Sequence, residues 1–227
     1  MKEDNIKTIT ESREKFFEFV DVCNEKYRKH NPSTYLYRKI IEKHRSSGDI
    51  SKLISEDEFV DLIYMTLISW NMNQRAAEMK RYDDFKISIN NLSSVLERLY
   101  KYKLHEMSGN DIKDVIEDLK EVFKGLDMMK SKSKIVGVSK TMHFLLPDLV
   151  MPIDRKYTMN FFYGNNRYKQ IIDKEFKDFE KLFREFHRIS KVLNLTDEDV
   201  NGKNWNTSVP KLIDNAIIGH TQEKETL

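Results

Sequence analysis

Apolar side chains repeat with the period of an α-helix through the last third of the chain. Five of them follow one another at spacings of four, three, four and three residues: Ile172, Phe176, Phe179, Phe183 and Phe186. A helix of about 3.6 residues per turn places all five on one face. We therefore predict a long helix from about Asn166 to Leu193, whose phenylalanine stripe packs into a core or against another helix.

Few residues in the chain interrupt such helical patterns. Only seven of the 227 residues are Gly and four are Pro, whereas 33% are charged. This composition is typical of long helices with solvated faces and short connections. We predict an all-α fold: a single irregular multi-helix domain over residues 1–219, built as one body or as two lobes. Because Gly219 is typical of a helix end, we predict a frayed tail over residues 220–227.

The most apolar predicted helix runs from Phe59 to Trp70. It is apolar nearly all round, which is expected of a helix surrounded by others, so we predict that it lies at the centre of the core. It contains Asp61 and is shorter than the roughly 20 residues of a bilayer span, so we expect no membrane contact.

Cysteine usage and the N-terminus bear on the cellular compartment. Cys23 is the single cysteine and cannot form an internal disulfide, which is typical of a reducing compartment. The sequence begins Met-Lys-Glu-Asp-Asn, without an apolar signal segment. We therefore expect a cytoplasmic protein. The sequence does not indicate an oligomeric state.

One segment, residues 135–157, departs from helical periodicity and contains Gly137 and two of the four prolines. Gly137-Val-Ser139 predicts a tight turn, with Ser139 as the N-cap of a helix that begins at Lys140. Backbone amides at such a helix start bind anions. Pro147 should end that helix, and a short buried crossing should deliver Asp154 to the start of the next helix as its cap.

These residues carry a resemblance. Gly137-Val-Ser-Lys-Thr141, followed by Pro152-Ile-Asp-Arg155, resembles the core of the helix-hairpin-helix DNA glycosylases, although the second hairpin glycine is missing. In that family the hairpin amides hold a DNA phosphate, the lysine attacks the sugar C1′, and the aspartate assists at the same carbon. The resemblance implies that Lys140 is the nucleophile, that Asp154 assists, and that Gly137 and Ser139 lie at the phosphate.

A longer stretch is similar to a family of uncharacterised prokaryotic proteins. Those proteins carry a Val-Gly-x-Ser-Lys…Pro-x-Asp-Arg-x-Tyr-Thr block, preceded by a short segment like residues 70–79 here. This resemblance indicates that the block is a structural unit. It implies no activity.

Basic residues are concentrated around the same segment. Residues 128–169 contain eight basic and two acidic residues. Such an excess favours an anionic partner, DNA or RNA, along residues 128–169. The side chains predicted to contact its backbone are Lys130, Lys132, Lys134, Arg155 and Lys156. Alternatively, the excess is an ordinary fluctuation on a surface that is one-third charged.

The sequence contains no motif for a cofactor or a metal. Its six histidines never form a His-x-x-His or Glu-x-x-His pair on one helix face, so we predict no preformed metal site. His143, within an apolar helix, is more typical of a core histidine than of a base. Two functional hypotheses follow: a nucleic-acid-binding protein with glycosylase or lyase chemistry at Lys140 and Asp154, or a non-catalytic helical module in which these two residues form a structural clasp.

Overall fold

The chain folds into an assembly of helices, which range from 4 residues in the shortest to 21 in the longest of the described ones. A computed structural model describes residues 1–74, 77–131, 133–164 and 172–226. Within these ranges the α-helices are α1 Glu3–Ile9, α2 Arg13–Glu25, α3 Pro32–Ser47, α4 Ile50–Ser55, α5 Asp57–Ser69, α6 Tyr82–Asn90, α7 Ser93–Tyr100, α8 Asp111–Gly125, α9 Ile135–Leu145, α10 Asn160–Tyr163, α11 Ile172–Val192 and α12 Val209–Thr226. A turn of π-helix covers Arg155–Met159, and a 3-10 turn covers Asp197–Asp199.

The predicted all-α fold is confirmed. Among the described residues the chain forms no β-sheet, and the isolated extended pairing there joins Met79 to Met129. No helix in those ranges is both long enough and apolar enough to cross a bilayer.

The phenylalanine stripe of α11 lies in the core, as predicted. Phe179, Phe183 and Phe186 are fully buried. Phe179 lies 5.4 Å from the ring of Phe123 on α8, so the stripe forms part of the packing between these two helices. The predicted start of this helix near Asn166 lies outside the described residues.

The central helix is α9, and our prediction that the helix from Phe59 to Trp70 is central was wrong. In α5, Met65 is 55% exposed and Ile68 is 39% exposed. In α9, every residue from Gly137 to Leu145 is buried. The small residue Gly137 permits this close packing, because a Cβ atom there would lie 2.7 Å from the sulfur of Met129.

The predicted tail continues the last helix, so our placement of a helix end at Gly219 was wrong. Helix α12 runs on to Thr226, and His220 is 2% exposed. A Cβ atom on Gly219 would lie 1.9 Å from the carbonyl oxygen of Phe19 on α2. Gly219 therefore allows the backbones of α12 and α2 to approach closely, and does not act as a helix terminator.

Candidate functional site

The segment predicted to form a hairpin turn lies inside a helix. Gly137, Ser139 and Lys140 all belong to α9, so Ser139 is not an N-cap and the predicted tight turn is absent from this described segment. The hydroxyl of Ser139 donates to the carbonyl of Val136 at 3.2 Å and accepts from the amide of Ile153 at 3.1 Å. Both Gly137 and Ser139 are buried, so neither lies at a surface that a phosphate could reach.

The N-terminus of α9 already has an anion. The carboxylate of Glu175, from α11, accepts from the backbone amide of Lys134 at 3.0 Å and from the hydroxyl of Ser133 at 2.8 Å. Glu175 is 1% exposed. A buried carboxylate at a helix start is stabilised by the helix dipole, so Glu175 takes the place that the hairpin prediction gave to a phosphate.

Asp154 caps the helical turn that follows it, as predicted. Its Oδ1 accepts from the backbone amides of Lys156 at 2.7 Å and Tyr157 at 3.2 Å. The segment between α9 and Asp154 is the predicted buried crossing, since Leu149, Val150 and Met151 are buried. The bond from the Ile153 amide to Ser139 ties the crossing to α9.

Lys140 and Asp154 meet at the end of this crossing. The amine Nζ of Lys140 lies 3.7 Å from Oδ2 of Asp154. The Lys140 side chain is 8% exposed, whereas that of Asp154 is 37% exposed. The lysine of the pair is therefore buried, whereas its carboxylate partner is accessible to solvent.

The surroundings of Lys140 perturb the protonation equilibrium of its amine. Burial lowers its pKa, and the charge of Lys211 acts in the same direction, while Asp154 and Asp214 oppose the shift. The amine also lies 5.3 Å from the ring centre of Trp70. A neutral amine is the nucleophilic form of lysine, so the environment is chemically suitable for covalent chemistry at Nζ.

A second buried lysine–aspartate pair, which the sequence reading did not identify, lies on α12. Nζ of Lys211 is 2.5 Å from Oδ2 of Asp214 and donates to Oδ1 of Asn215 at 2.7 Å. The two charged side chains are 6% and 5% exposed. Burial raises the pKa of Asp214, while Lys211 opposes the shift. The available signal was two opposite charges three residues apart in the mostly apolar first half of the helix.

Aromatic rings join the two pairs. Nζ of Lys211 lies 5.6 Å from the ring centre of Trp205. The ring of Tyr37 lies 6.0 Å from Trp205 and 5.6 Å from Trp70. Tyr37 is fully buried, and both tryptophans are partly buried against the core. The site is therefore an aromatic row with one lysine amine at each tryptophan.

His143 is a core histidine, as predicted. Its Nδ1 lies 2.7 Å from the carbonyl of Val150, and its Nε2 lies 3.0 Å from the hydroxyl of Tyr37. Since a carbonyl only accepts, Nδ1 carries the proton and the Tyr37 hydroxyl donates to Nε2. Burial lowers the pKa of His143 to about 3, so the ring stays neutral at physiological pH. It orders Tyr37 and is not suited to act as a base.

The predicted phosphate-binding lysines are paired with carboxylates from other parts of the fold. Lys130 contacts Glu78 at 2.7 Å, Lys134 contacts Asp127 at 2.9 Å, and Lys156 contacts Glu225 at 3.2 Å. Three of the eight basic side chains in residues 128–169 are thus compensated in space by carboxylates from outside that segment.

The other two predicted side chains differ from these lysines. Arg155 is exposed, and no carboxylate of the described residues lies within ion-pair distance of it. Lys132 lies outside the described residues.

One group of potential metal ligands comes together from distant segments. Nε2 of His105 lies 3.4 Å from Asp197 and 3.8 Å from Glu106. The amine of Lys103 contacts both carboxylates. Lys103 already supplies a positive charge there, and we assign no metal to this group.

Three comparisons, with protein-family models, with curated proteins and with solved structures, find no match to this chain.

Proposed function

We propose that the protein binds nucleic acid and removes a base at the Lys140–Asp154 site, with glycosylase or lyase chemistry. One observation carries the proposal: the amine of Lys140 is held in a buried position beside Trp70 and 3.7 Å from a carboxylate that remains open to solvent. A lowered pKa is what an amine nucleophile requires, and a neighbouring carboxylate can take the proton that the amine loses on attack. The resemblance to helix-hairpin-helix DNA glycosylases assigns the same two residues.

The reaction would proceed at the sugar C1′. The lone pair of the neutral Lys140 amine forms a bond to C1′ while the bond from C1′ to the base nitrogen breaks. The base leaves with the electron pair and takes a proton from solvent, and the attached amine loses a proton to the carboxylate of Asp154. That carboxylate also stabilises the positive charge that develops at C1′. The lone pair on the nitrogen then forms the second C1′–N bond as the bond from C1′ to the ring oxygen breaks, the ring oxygen takes the proton from Asp154, and the product is a protonated imine on Lys140.

The competing function is a non-catalytic helical module. The observation that favours it is that Asp154 both caps a helical turn and pairs with Lys140. A carboxylate with these two contacts can join α9 to the following segment as a clasp. In that case Lys140 would have no reactivity toward sugars.

The two functions are separated by borohydride trapping. The protein is incubated with a labelled oligonucleotide that carries one abasic site, and the imine is reduced to a stable adduct. We expect an adduct whose cross-linked residue is Lys140 by mass spectrometry. Lys140→Gln should abolish it, and Asp154→Asn should reduce it with a smaller loss of melting temperature than Asp154→Ala shows. Lys120→Gln removes a partly exposed lysine on α8, serves as the control and should trap normally.

The clasp is supported if the wild-type protein gives no adduct and both site variants melt early. An adduct on a lysine other than Lys140 would reject the assignment of the nucleophile.

A further inference from the structure

A cleft of about 710 Å³ lies between the segment that follows α2, helix α3 and the turn at residues 202–204. Two tyrosines and four basic residues on its walls carry the inference: Tyr27, Tyr35, Lys29, Arg38, Lys39 and Lys203. Glu42 is the only acidic residue among the described residues that line it. Tyr27, Lys29 and His30 of the lining belong to the basic and aromatic sequence Lys26-Tyr-Arg-Lys-His30.

Most of the positive charge of this cleft is not compensated. Lys39 pairs with Glu42 at 2.7 Å. Lys29, Arg38 and Lys203 have no carboxylate within 4.0 Å anywhere in the described ranges. Residues 128–169, for which the sequence predicted nucleic-acid binding, differ from the cleft. Their Lys130, Lys134 and Lys156 are all paired with carboxylates. The cleft therefore presents free cations for an anionic partner.

The aromatic rings of the cleft differ in exposure. The Tyr35 ring is 55% exposed, with the amine of Lys39 at 5.7 Å from its centre. Tyr27 is half-buried, and its hydroxyl accepts from Arg38 at 3.1 Å. An exposed ring among uncompensated cations is the arrangement with which proteins bind unpaired strands, because each base has a face to stack and each phosphate has a charge to pair.

The cleft connects physically to the Lys140 site. The ring of Tyr27 meets that of Trp205 edge-on at 5.4 Å, and Trp205 lies 6.0 Å from Tyr37. Tyr37 in turn contacts Trp70, which lies beside the Lys140 amine. One continuous row of rings therefore runs from the cleft to the site.

We infer that this cleft binds an unpaired nucleic-acid strand through Lys29, Arg38 and Lys203 on its phosphates and Tyr35 on a base. The inference rests on the proposed function and specifies its substrate class and its binding surface. A duplex fits less well, because the faces of paired and stacked bases are covered and offer nothing to Tyr35.

Fluorescence anisotropy with a labelled oligothymidylate of about 12 nucleotides, inside the site-size range of about 4 to 16, tests this. Wild-type affinity should fall steeply with salt. Lys29→Gln/Lys203→Gln should weaken binding at low salt and reduce the salt slope by about 1.4, since each single-strand phosphate contact contributes about 0.7. Tyr35→Ala should weaken binding about 5- to 150-fold with an unchanged slope, because stacking carries no counterion release.

Two matched doubles complete the test. Lys113→Gln/Lys120→Gln removes the same charge from α8 and should bind like the wild type. Lys130→Gln/Lys134→Gln removes two positive charges from the segment that the sequence predicted to bind nucleic acid. This double variant should also bind like the wild type. The inference is overturned if this second double weakens binding as much as the cleft double does. No binding at low salt, equal affinity for the matching duplex, or full displacement by polyglutamate would each overturn it too.

The outcome is independent of the chemistry at Lys140. If the cleft variants lose binding but no borohydride adduct forms, the cleft stands and the proposed catalysis fails. If an adduct forms at Lys140 while the cleft variants bind normally, the catalysis stands and the cleft fails.

Discussion

The two oxygens of Asp154 have separate partners: Oδ1 caps the turn that begins at Arg155, and Oδ2 lies 3.7 Å from the amine of Lys140. A helix cap needs only an acceptor oxygen, whereas pairing with Lys140 needs a negative charge. An amide at this position keeps the first property and loses the second. The two roles can therefore be measured separately.

Stability measurements on two variants of Asp154 should separate these roles. Asp154→Ala should lower the free energy of unfolding by about 1–3 kcal/mol, because the cap is lost and a buried lysine loses its partly solvated partner. Asp154→Asn should cost less, because the amide oxygen still accepts from the backbone. Urea unfolding at pH 7 measures both, with Asp83→Ala, which removes an exposed carboxylate, as the control. Equal losses in the two Asp154 variants would mean that the charge dominates.

The buried pair on α12 should respond very differently to single and double substitution. Asp214→Leu alone leaves the Lys211 charge buried without its partner and should cost about 3–5 kcal/mol. Lys211→Met/Asp214→Leu removes both charges and should cost much less, because apolar side chains of similar volume replace the pair. Urea unfolding of the single variants and the double gives the coupling energy. A double variant as unstable as the sum of the singles would contradict a direct interaction.

Gly219 should tolerate no side chain. Gly219→Ala places a Cβ atom against the carbonyl oxygen of Phe19, so α12 and α2 must separate. We expect a loss of about 1–3 kcal/mol or more from overpacking, although alanine ordinarily stabilises a helix relative to glycine. Gly109→Ala is the control, since a Cβ atom there meets nothing within 4 Å. Thermal melting of both variants would show whether the contact limits the packing.

His220 should make the protein sensitive to acid. Burial lowers its pKa from 6.5 to about 4, and neither ring nitrogen has a hydrogen-bond partner in the described part of the chain. His220 binds a proton more tightly in the unfolded chain than in the folded protein. The stability that the protein gains by keeping this histidine neutral is therefore complete above pH 6.5 and is lost as the pH falls toward 4. His220→Leu should flatten the stability curve between these values and raise stability at pH 5 by about 1 kcal/mol.

The control for this prediction is a histidine that does have a partner. Nε2 of His187 lies 3.1 Å from the carbonyl of Met107, so His187→Leu should lose a hydrogen bond and destabilise the protein. Urea unfolding at pH 5 and pH 7 compares the two variants. A stability curve for His220→Leu that remains as steep as that of the wild type would assign the acid sensitivity to other groups.

The sequence alone determined that the fold is all-α, because amphipathic periodicity is a local property. The phenylalanine stripe of α11 needed only its own spacing to indicate a buried face. The prolines at 147 and 152 likewise predicted the crossing that delivers Asp154 to its cap.

The tertiary structure decided which residues meet, because charge pairing, burial and backbone approach depend on segments distant in the chain. Gly137 and Gly219 looked like a turn and a helix end, yet each lies inside a helix where Met129 or Phe19 comes close. Glycine occurs both where a helix ends and where two segments pack closely. Only the residues around it in the folded structure distinguish these two cases. In the same way, the anion at the start of α9 is Glu175, 41 residues further along the chain than Lys134, a contact that no local pattern encodes.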